Sequence, residues 1–490
     1  MASRNTEQPN LLFILSDDHG SWAMGCAGNE EIRSPNLDRL AREGIRFDNF
    51  FCASPVCSPA RASILTGRIP SQHGVHDFVS MPHDREGKPD LDIPANSIHF
   101  LDGMPGYADL LAEIGYDTCL SGKWHLGDSL QPRCGFQKWF PMPYGQSSYR
   151  NVPMVEDGEV RLHEDTYATD LFTDIALKFL EDQVDEDRPF CLTLPYTAPH
   201  RPWGREHHPE ETWDDYYNNC PFESTPGLDE PVPPGFQRYT FERPSTGGST
   251  SIDAEKRKQH LTGYFASIEE MDRNIGRLLD WLESQDLRSN TLVVFMGDNG
   301  MNMGHHGIYG KGNATWPQNL FDTSVKVPCL ISRPGHVPAN QVNTDLLSQY
   351  DWLPTFLDYA GAADRIPDGL PGRSFAPLLA GHTGEERESI FVFDEYGPVR
   401  MIRSQEWKLI WRYPAGAHEL YNVAEDPEEL VNLFIQPGYA DRIRTLRRKL
   451  DHWFAKYVDP RLDGSKLPVT GYGQRDHATK TDAFDYRPRN

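Results

Sequence analysis

Asn10-Leu-Leu-Phe-Ile-Leu15 runs directly into Ser16-Asp-Asp-His-Gly20. An apolar run with no polar alternation predicts a strand buried on both faces, as in a parallel sheet covered by helices. The carboxylates that end it predict a strand whose carboxyl end faces a ligand. Three more stretches repeat the pattern: Tyr116 to Leu120 leads into Ser121-Gly-Lys-Trp-His125, Phe190 to Leu194 into Pro195 to His200, and Thr291 to Met296 into Gly297-Asp-Asn-Gly300. Helical patterns lie between them, over 36–43, 107–114, 165–183, 254–284 and 346–359. Strands alternating with helices predict an α/β sandwich. In such sheets ligands sit beyond the carboxyl ends of the strands, so the polar clusters are expected to share one rim.

The segments 141–164 and 201–250 read as irregular insertions within a catalytic domain spanning 1–385. Long irregular segments in compact proteins are often functional loops. From 386 to 457 three short strand patterns and an amphipathic helix over 438–457 predict a smaller α+β domain with an antiparallel sheet. Residues 458–490 read as a polar tail with little to form a core.

The chain has 490 residues and a formal net charge of −24, which argues against nucleic acid or an anionic membrane as partner. An anionic substrate must then be drawn in by a local basic pocket, which favours a compact one. No stretch approaches the roughly 20 apolar residues of a membrane span, and the first ten residues do not form a signal-peptide core. As given, the chain is expected in the cytoplasm, or in the periplasm or outside the cell if a leader was removed. Seven of the eight cysteines read as buried free thiols of a reducing compartment.

The eighth is Cys57, in Cys57-Ser-Pro-Ala-Arg61. Pro59 suits a first helical turn, and the free amides of a helix start favour anions. A thiol there, one turn from the Arg61 guanidinium, points to chemistry on a sulfate or phosphate group. Asp17 with Asp18, and Asp298 with Asn299, are strand-end pairs of oxygen donors. Adjacent carboxylates repel unless a cation or protons intervene, and an all-oxygen set suits Ca²⁺ or Mg²⁺ rather than zinc. Either pair alone is equally suited to capping the helix that follows. Lys123, His125 and Lys311 stand among glycines that let backbone approach an anion, although a single lysine is usually just a solvated charge. His200 lies in the stiff Ala198-Pro-His-Arg-Pro202 loop. Arg201, Trp203 and His306 are candidates for a substrate rim, where aromatic faces and donors suit a sugar.

Cys57-Ser-Pro-Ala-Arg-Ala-Ser-Ile-Leu-Thr-Gly67 and Gly115-Tyr-Asp-Thr-Cys-Leu-Ser-Gly-Lys-Trp-His125 resemble, in order, two signatures of the type I sulfatases of the alkaline-phosphatase superfamily. The likeness extends from Asn10 to Pro427, apart from the middle insertions. It implies an alkaline-phosphatase-like, mostly parallel sheet between helices and a Cys57 oxidised to formylglycine by a separate maturation enzyme. It further implies that Asp17, Asp18, Asp298 and Asn299 hold the cation together with modified Cys57, and that Arg61 fixes the formylglycine. Lys123 and Lys311 would bind sulfate oxygens, His125 would assist sulfate elimination, and His200 would serve the leaving-group oxygen. A serine that some members use as an extra sulfate contact has no match. The implied reaction is hydrolysis of a sulfate ester, with a sulfated saccharide as first expectation. Phosphonate or phosphate ester hydrolysis on the same scaffold is the alternative, as is a silent binder of sulfated ligands. Relatives acting on phosphonates often carry Asp-His where this chain has Asp298-Asn299, which favours sulfate.

Overall fold

The computed structural model describes residues 8–80, 98–145, 148–184, 186–238, 252–385, 387–394, 399–414, 416–469 and 473–484. Its strands are β1 (Asn10–Ser16), β2 (Gly44–Phe47), β3 (Asp117–Lys123), β4 (Lys138–Met142), the hairpin β5 (Arg150–Glu156) and β6 (Glu159–Tyr167), β7 (Phe190–Pro195), β8 (Thr291–Gly297), β9 (Cys329–Ser332) and β10 (Gln341–Asn343). The C-terminal strands are β11 (Ile390–Asp394), β12 (Val399–Arg403), β13 (Trp407–Arg412) and β14 (Glu419–Asn422). The principal helices are α1 (Pro35–Arg42), α2 (Cys57–Thr66), α3 (Tyr107–Glu113), α4 (Ala168–Gln183), α5 (Glu210–Asn219), α6 (Ala254–Ser284), α7 (Trp352–Tyr359) and α8 (Ala440–Tyr457).

Eight strands form one sheet in the order β10-β2-β9-β8-β1-β7-β3-β4. From β8 to β4 every pairing is parallel, and only β9 runs antiparallel to its neighbours. The apolar runs are strands for the expected reason. Leu11, Phe13 and Leu15 of β1 join one core with side chains of α2, α3 and α7, whereas Leu12 and Ile14 face α1, α4 and α6. A strand clothed on both sides has no polar face to display.

The C-terminal sheet is antiparallel, in the order β11-β12-β13-β14. Phe391, Ile402, Leu409 and Leu420 pack under Leu446, Leu450 and Phe454 of α8, while Ile390, Val392, Met401 and Ile410 join the core of the large sheet. The smaller unit is therefore built onto the larger one through a shared apolar layer.

Three expectations need correction. The segment 141–164 is mostly the β5–β6 hairpin. Asp157-Gly158 is its two-residue loop, with φ of 53° and 80°, and two left-handed residues are what a type I′ turn demands. Within 201–250 the described part, 201–238, contains helix α5, and the remainder lies outside the described residues. The tail does form a core: Val469, Ala478, Ala483 and Phe484 cluster together, and Gln474 pairs with Val79. No helix among the described residues is long and apolar enough to cross a membrane.

Candidate active site

Parallel pairing in register Ser16↔Gly297 places the tips of β1 and β8 side by side, so Asp17 and Asp18 emerge next to Asp298 and Asn299. Lys123 ends β3, with His125 two residues on, and the turn after β7 carries His200. Helix α2 starts at Cys57, with all ten of its residues buried, and delivers Cys57 and Arg61 from its first turns. Lys311 comes from the loop after β8. Distant segments thus supply one cluster.

The carboxylate oxygens of Asp17, Asp18 and Asp298 lie within 4.8 Å of one another. Cys57 Sγ stands 3.4 Å from Asp17 Oδ1 and 3.8 Å from Asp18 Oδ1. Lys123 Nζ pairs with Asp17 Oδ2. Lys311 Nζ pairs with Asp18 Oδ1 and reaches Cys57 Sγ at 2.8 Å and Asn299 Oδ1 at 3.4 Å. Arg61 donates twice to Asp298 Oδ2, at 3.0 and 3.1 Å, and once to the Lys123 carbonyl at 3.1 Å. His200 Nε2 lies 3.6 Å from Asp18 Oδ2. Its Nδ1 donates to the Arg201 carbonyl at 2.7 Å, which leaves Nε2 as the nitrogen that exchanges a proton.

Burial and charge set the protonation states. Burial and the neighbouring Asp17 push the Cys57 thiol up to about 12, so at neutral pH it is no thiolate. Burial also raises Asp18, but Lys311 and Lys123 outweigh it and hold the carboxyl well below its usual range. Asp298 is raised to about 6 by burial and by Asp17, against the pull of Arg61. Burial lowers His200 to about 3, and burial with the charges of Lys123 and Arg61 drives His125 well below its usual value. Both imidazoles are neutral as the site stands.

The donor set fits a hard divalent cation. Three carboxylates, the Asn299 amide oxygen and position 57 converge, and the Lys311 ammonium already sits among Asp18, Asn299 and Cys57 as a stand-in positive charge. The rim candidates divide. Trp203 is buried, packs on Tyr264 and donates its indole N–H to the Pro199 carbonyl. His306 stacks on Phe321 at 3.8 Å beside the C-terminal sheet. Both therefore have packing roles where the structure places them, whereas the Arg201 carbonyl orients His200.

Sequence reasoning missed the props. Gln349 donates to the carbonyls of Gly297 and Asp298 at 2.9 and 2.7 Å. Tyr264 donates to the Asp18 carbonyl at 3.1 Å, and Tyr149 to the His200 carbonyl at 2.6 Å. Each acts from another element, and nothing in its neighbours' spelling marks it.

Three converging carboxylates, a buried thiol and two lysines thus share the strand-tip rim of a mostly parallel sheet, the place where such sheets hold ligands. The chain belongs to the sulfatase family, whose profile matches residues 9–362, and a second profile, N-sulphoglucosamine sulphohydrolase, C-terminal, matches residues 304–456. It is thereby a sulfuric ester hydrolase. It is 29% identical to an N-acetylglucosamine-6-O-sulfatase of Bacteroides thetaiotaomicron over 93% of this chain and 88% of that protein. It is 27% identical to a choline-sulfatase of Rhizobium meliloti, covering 88% of this chain and 83% of that one. A solved structure of a protein in complex with its substrate D-glucosamine-2-N,6-O-disulfate superposes with a TM-score of 0.76 at 27% identity, over 94% of this chain and 99% of that one.

Proposed function

We propose that this sulfatase acts on a small sulfated saccharide, with an amino sugar as the leading candidate, using Ca²⁺ and a formylglycine made from Cys57 by a maturation enzyme. The observation that carries the reading is the crowding of Lys311, Asp17 and Asp18 around Cys57 Sγ. A formylglycine at position 57 would, as its hydrate, supply a gem-diol nucleophile. A cation bound there would supply Lewis-acid polarisation of the sulfate.

The chain's own residues do the rest. Asp17, Asp18, Asp298 and Asn299 hold the cation. The ammonium groups of Lys123 and Lys311 would hold sulfate oxygens and neutralise developing charge. Arg61 keeps Asp298 and the end of β3 in place through its fork of three hydrogen bonds. Neutral His125 accepts the proton whose loss releases sulfate, and His200 Nε2 serves the leaving alcohol. The glucosamine-type preference draws support from the near full-length likeness to the N-acetylglucosamine-6-O-sulfatase and to the glucosamine disulfate complex.

The test is a screen of defined sulfated mono- and disaccharides with sulfate release as readout, run after chelation with Ca²⁺ or Mg²⁺ added back. Sulfated glucosamines should lead, and Ca²⁺ should restore more activity than Mg²⁺. Faster hydrolysis of aryl phosphonates than of matched sulfates would reverse the substrate class.

A further inference from the structure

His125 is held in an unusual way. Its φ of 56° lies in the left-handed region, and its Nε2 is 3.2 Å from the Val79 carbonyl. A carbonyl only accepts, so the ring proton sits on Nε2. Nδ1 is buried with no hydrogen-bond partner among the described residues, and is therefore the nitrogen with a lone pair to offer. The Val79 backbone is bracketed on its other side too. Its N–H donates to Ser58 Oγ at 3.0 Å, and the Ser58 hydroxyl donates to the His125 carbonyl at 2.8 Å. Val79, Ser58 and His125 form a closed ring of hydrogen bonds beside Cys57.

The Val79 segment is in turn fixed by a residue almost 400 positions away, in the tail that sequence composition left without a role. Gln474 is fully buried. Its backbone N–H donates to the Phe78 carbonyl at 2.8 Å and its carbonyl accepts from the Ser80 N–H at 2.9 Å, one bond on each side of Val79. Its side-chain oxygen accepts from the N–H groups of His76 at 2.8 Å and Asp77 at 3.4 Å, and its side-chain nitrogen donates to the Gly74 carbonyl at 2.8 Å and the Asp476 carbonyl at 3.0 Å. One amide thus grips the backbone on the N-terminal side of Val79 while its own main chain flanks Val79 like an added strand.

We propose that Gln474 is a positioning residue for His125: it clamps the 74–80 segment so that the Val79 carbonyl holds the proton on Nε2 and leaves Nδ1 as the base. The inference rests on the role given to His125 above, but its structural half stands independently. Gln474 touches neither substrate nor cation. Its effect reaches the reaction only through Val79 and the tautomer of one imidazole. A buried polar side chain satisfied at every atom is a strong geometric constraint, and groups that orient a catalytic ligand through its other ring nitrogen set its tautomer and basicity.

The experiment uses the full-length matured protein and two variants, Gln474→Met and Gln474→Asn. Gln474→Met keeps the volume and removes every side-chain hydrogen bond, and kcat for sulfate release should fall about 10-fold or more with KM nearly unchanged. Gln474→Asn retains an amide with shorter reach and should recover part of the loss. In parallel, ¹⁵N imidazole spectra are recorded, with the His125 signals identified by their absence in His125→Ala. Wild type should show His125 protonated on Nε2, and Gln474→Met should show averaging between the two nitrogens. Wild-type kcat with an unchanged His125 spectrum in a folded Gln474→Met would overturn the proposal. Should that variant be insoluble, Gln474→Asn decides on the same readouts. Wild-type protein that releases no sulfate would refute the function assigned to His125 while leaving the spectral comparison intact.

Discussion

Two buried charge clusters in this molecule have similar ingredients and opposite purposes. At the strand tips Asp17, Asp18 and Asp298 face Lys123, Lys311 and Arg61. At the seam with the C-terminal sheet, Asp322 and Glu429 face Lys408 and Arg403. Both balance charge, so charge balance does not separate them. What differs is where the oxygens are used. At the seam they are spent on structure: Glu429 Oε2 accepts the Asp322 backbone N–H at 2.6 Å, and Lys408, fully buried, spans Asp322 at 2.9 Å and Glu429 at 2.5 Å. At the strand tips each carboxylate is paired too, Asp17 with Lys123, Asp18 with Lys311 and Asp298 with Arg61, but their oxygens lie within 4.8 Å of one another beside the Cys57 thiol, where one cation could engage all three. Convergence of several carboxylate oxygens on one point separates the candidate site from the joint, where the carboxylate oxygens are taken up by backbone and lysine.

The comparison can be broken from either side. The largest effect belongs to Cys57→Ala, which should lower sulfate release by about 1,000-fold or more while thermal unfolding stays close to wild type, because only the nucleophile position is lost. Lys311→Ala should cost kcat about 100-fold, read by steady-state kinetics, through a lost sulfate contact. Gly145→Ala comes next. A Cβ at 145 would lie 2.1 Å from His125 Nε2, so the ring must move, and kcat should fall about 10- to 100-fold with little change in melting temperature. At the seam the signature inverts. Lys408→Met strands buried Glu429 and leaves Asp322 its ion pair with Arg403, and it should cost about 3–5 kcal/mol of stability by denaturant unfolding, with kcat of the folded enzyme retained.

The smallest effect is a pH dependence. Burial and Asp322 raise Glu429 to about 7 from an ordinary 4.5, against Lys408. Between those values the folded chain binds a proton that the unfolded chain has released. Glu429 therefore contributes stability that is present at low pH and declines as pH rises towards 7. The melting temperature of wild type relative to Glu429→Gln should fall from pH 5 to pH 7 and then level off. A difference that grows over this range would contradict the assignment.

Much of the fold, and the residues that gather at the candidate site, could be read from the chain because their physics is local. An apolar run followed by Asp-Asp or Asp-Asn is a buried strand with a charged tip, wherever it stands. Helix α6 shows an apolar stripe long enough to be read end to end. The props could not be read so. Gln349 lies in a stretch that looks helical from 346, yet Leu347–Ser348 pair with Phe50–Phe51 and the helix starts only at Trp352. Its amide meets the Gly297 and Asp298 carbonyls by tertiary placement alone. The β5–β6 hairpin was spelled out by Asp157-Gly158, but β6 is largely polar and its pattern is muted. Gln474 is the limiting case: a polar residue in a polar tail that owes its burial to backbone groups, which carry no sequence signature. Trp203 and His306 are packed against Tyr264 and Phe321, contacts that their residue type did not announce because aromatic and imidazole side chains serve packing as readily as recognition.

The central claim is that the strand tips serve a modified Cys57. The most direct measurement is the mass of the peptide carrying residue 57, taken from protein produced in a host with active maturation machinery and matched to its rate of sulfate release. The account predicts an aldehyde in place of the thiol, in a fraction that tracks activity. Full sulfatase activity from protein whose Cys57 remains a thiol would contradict it.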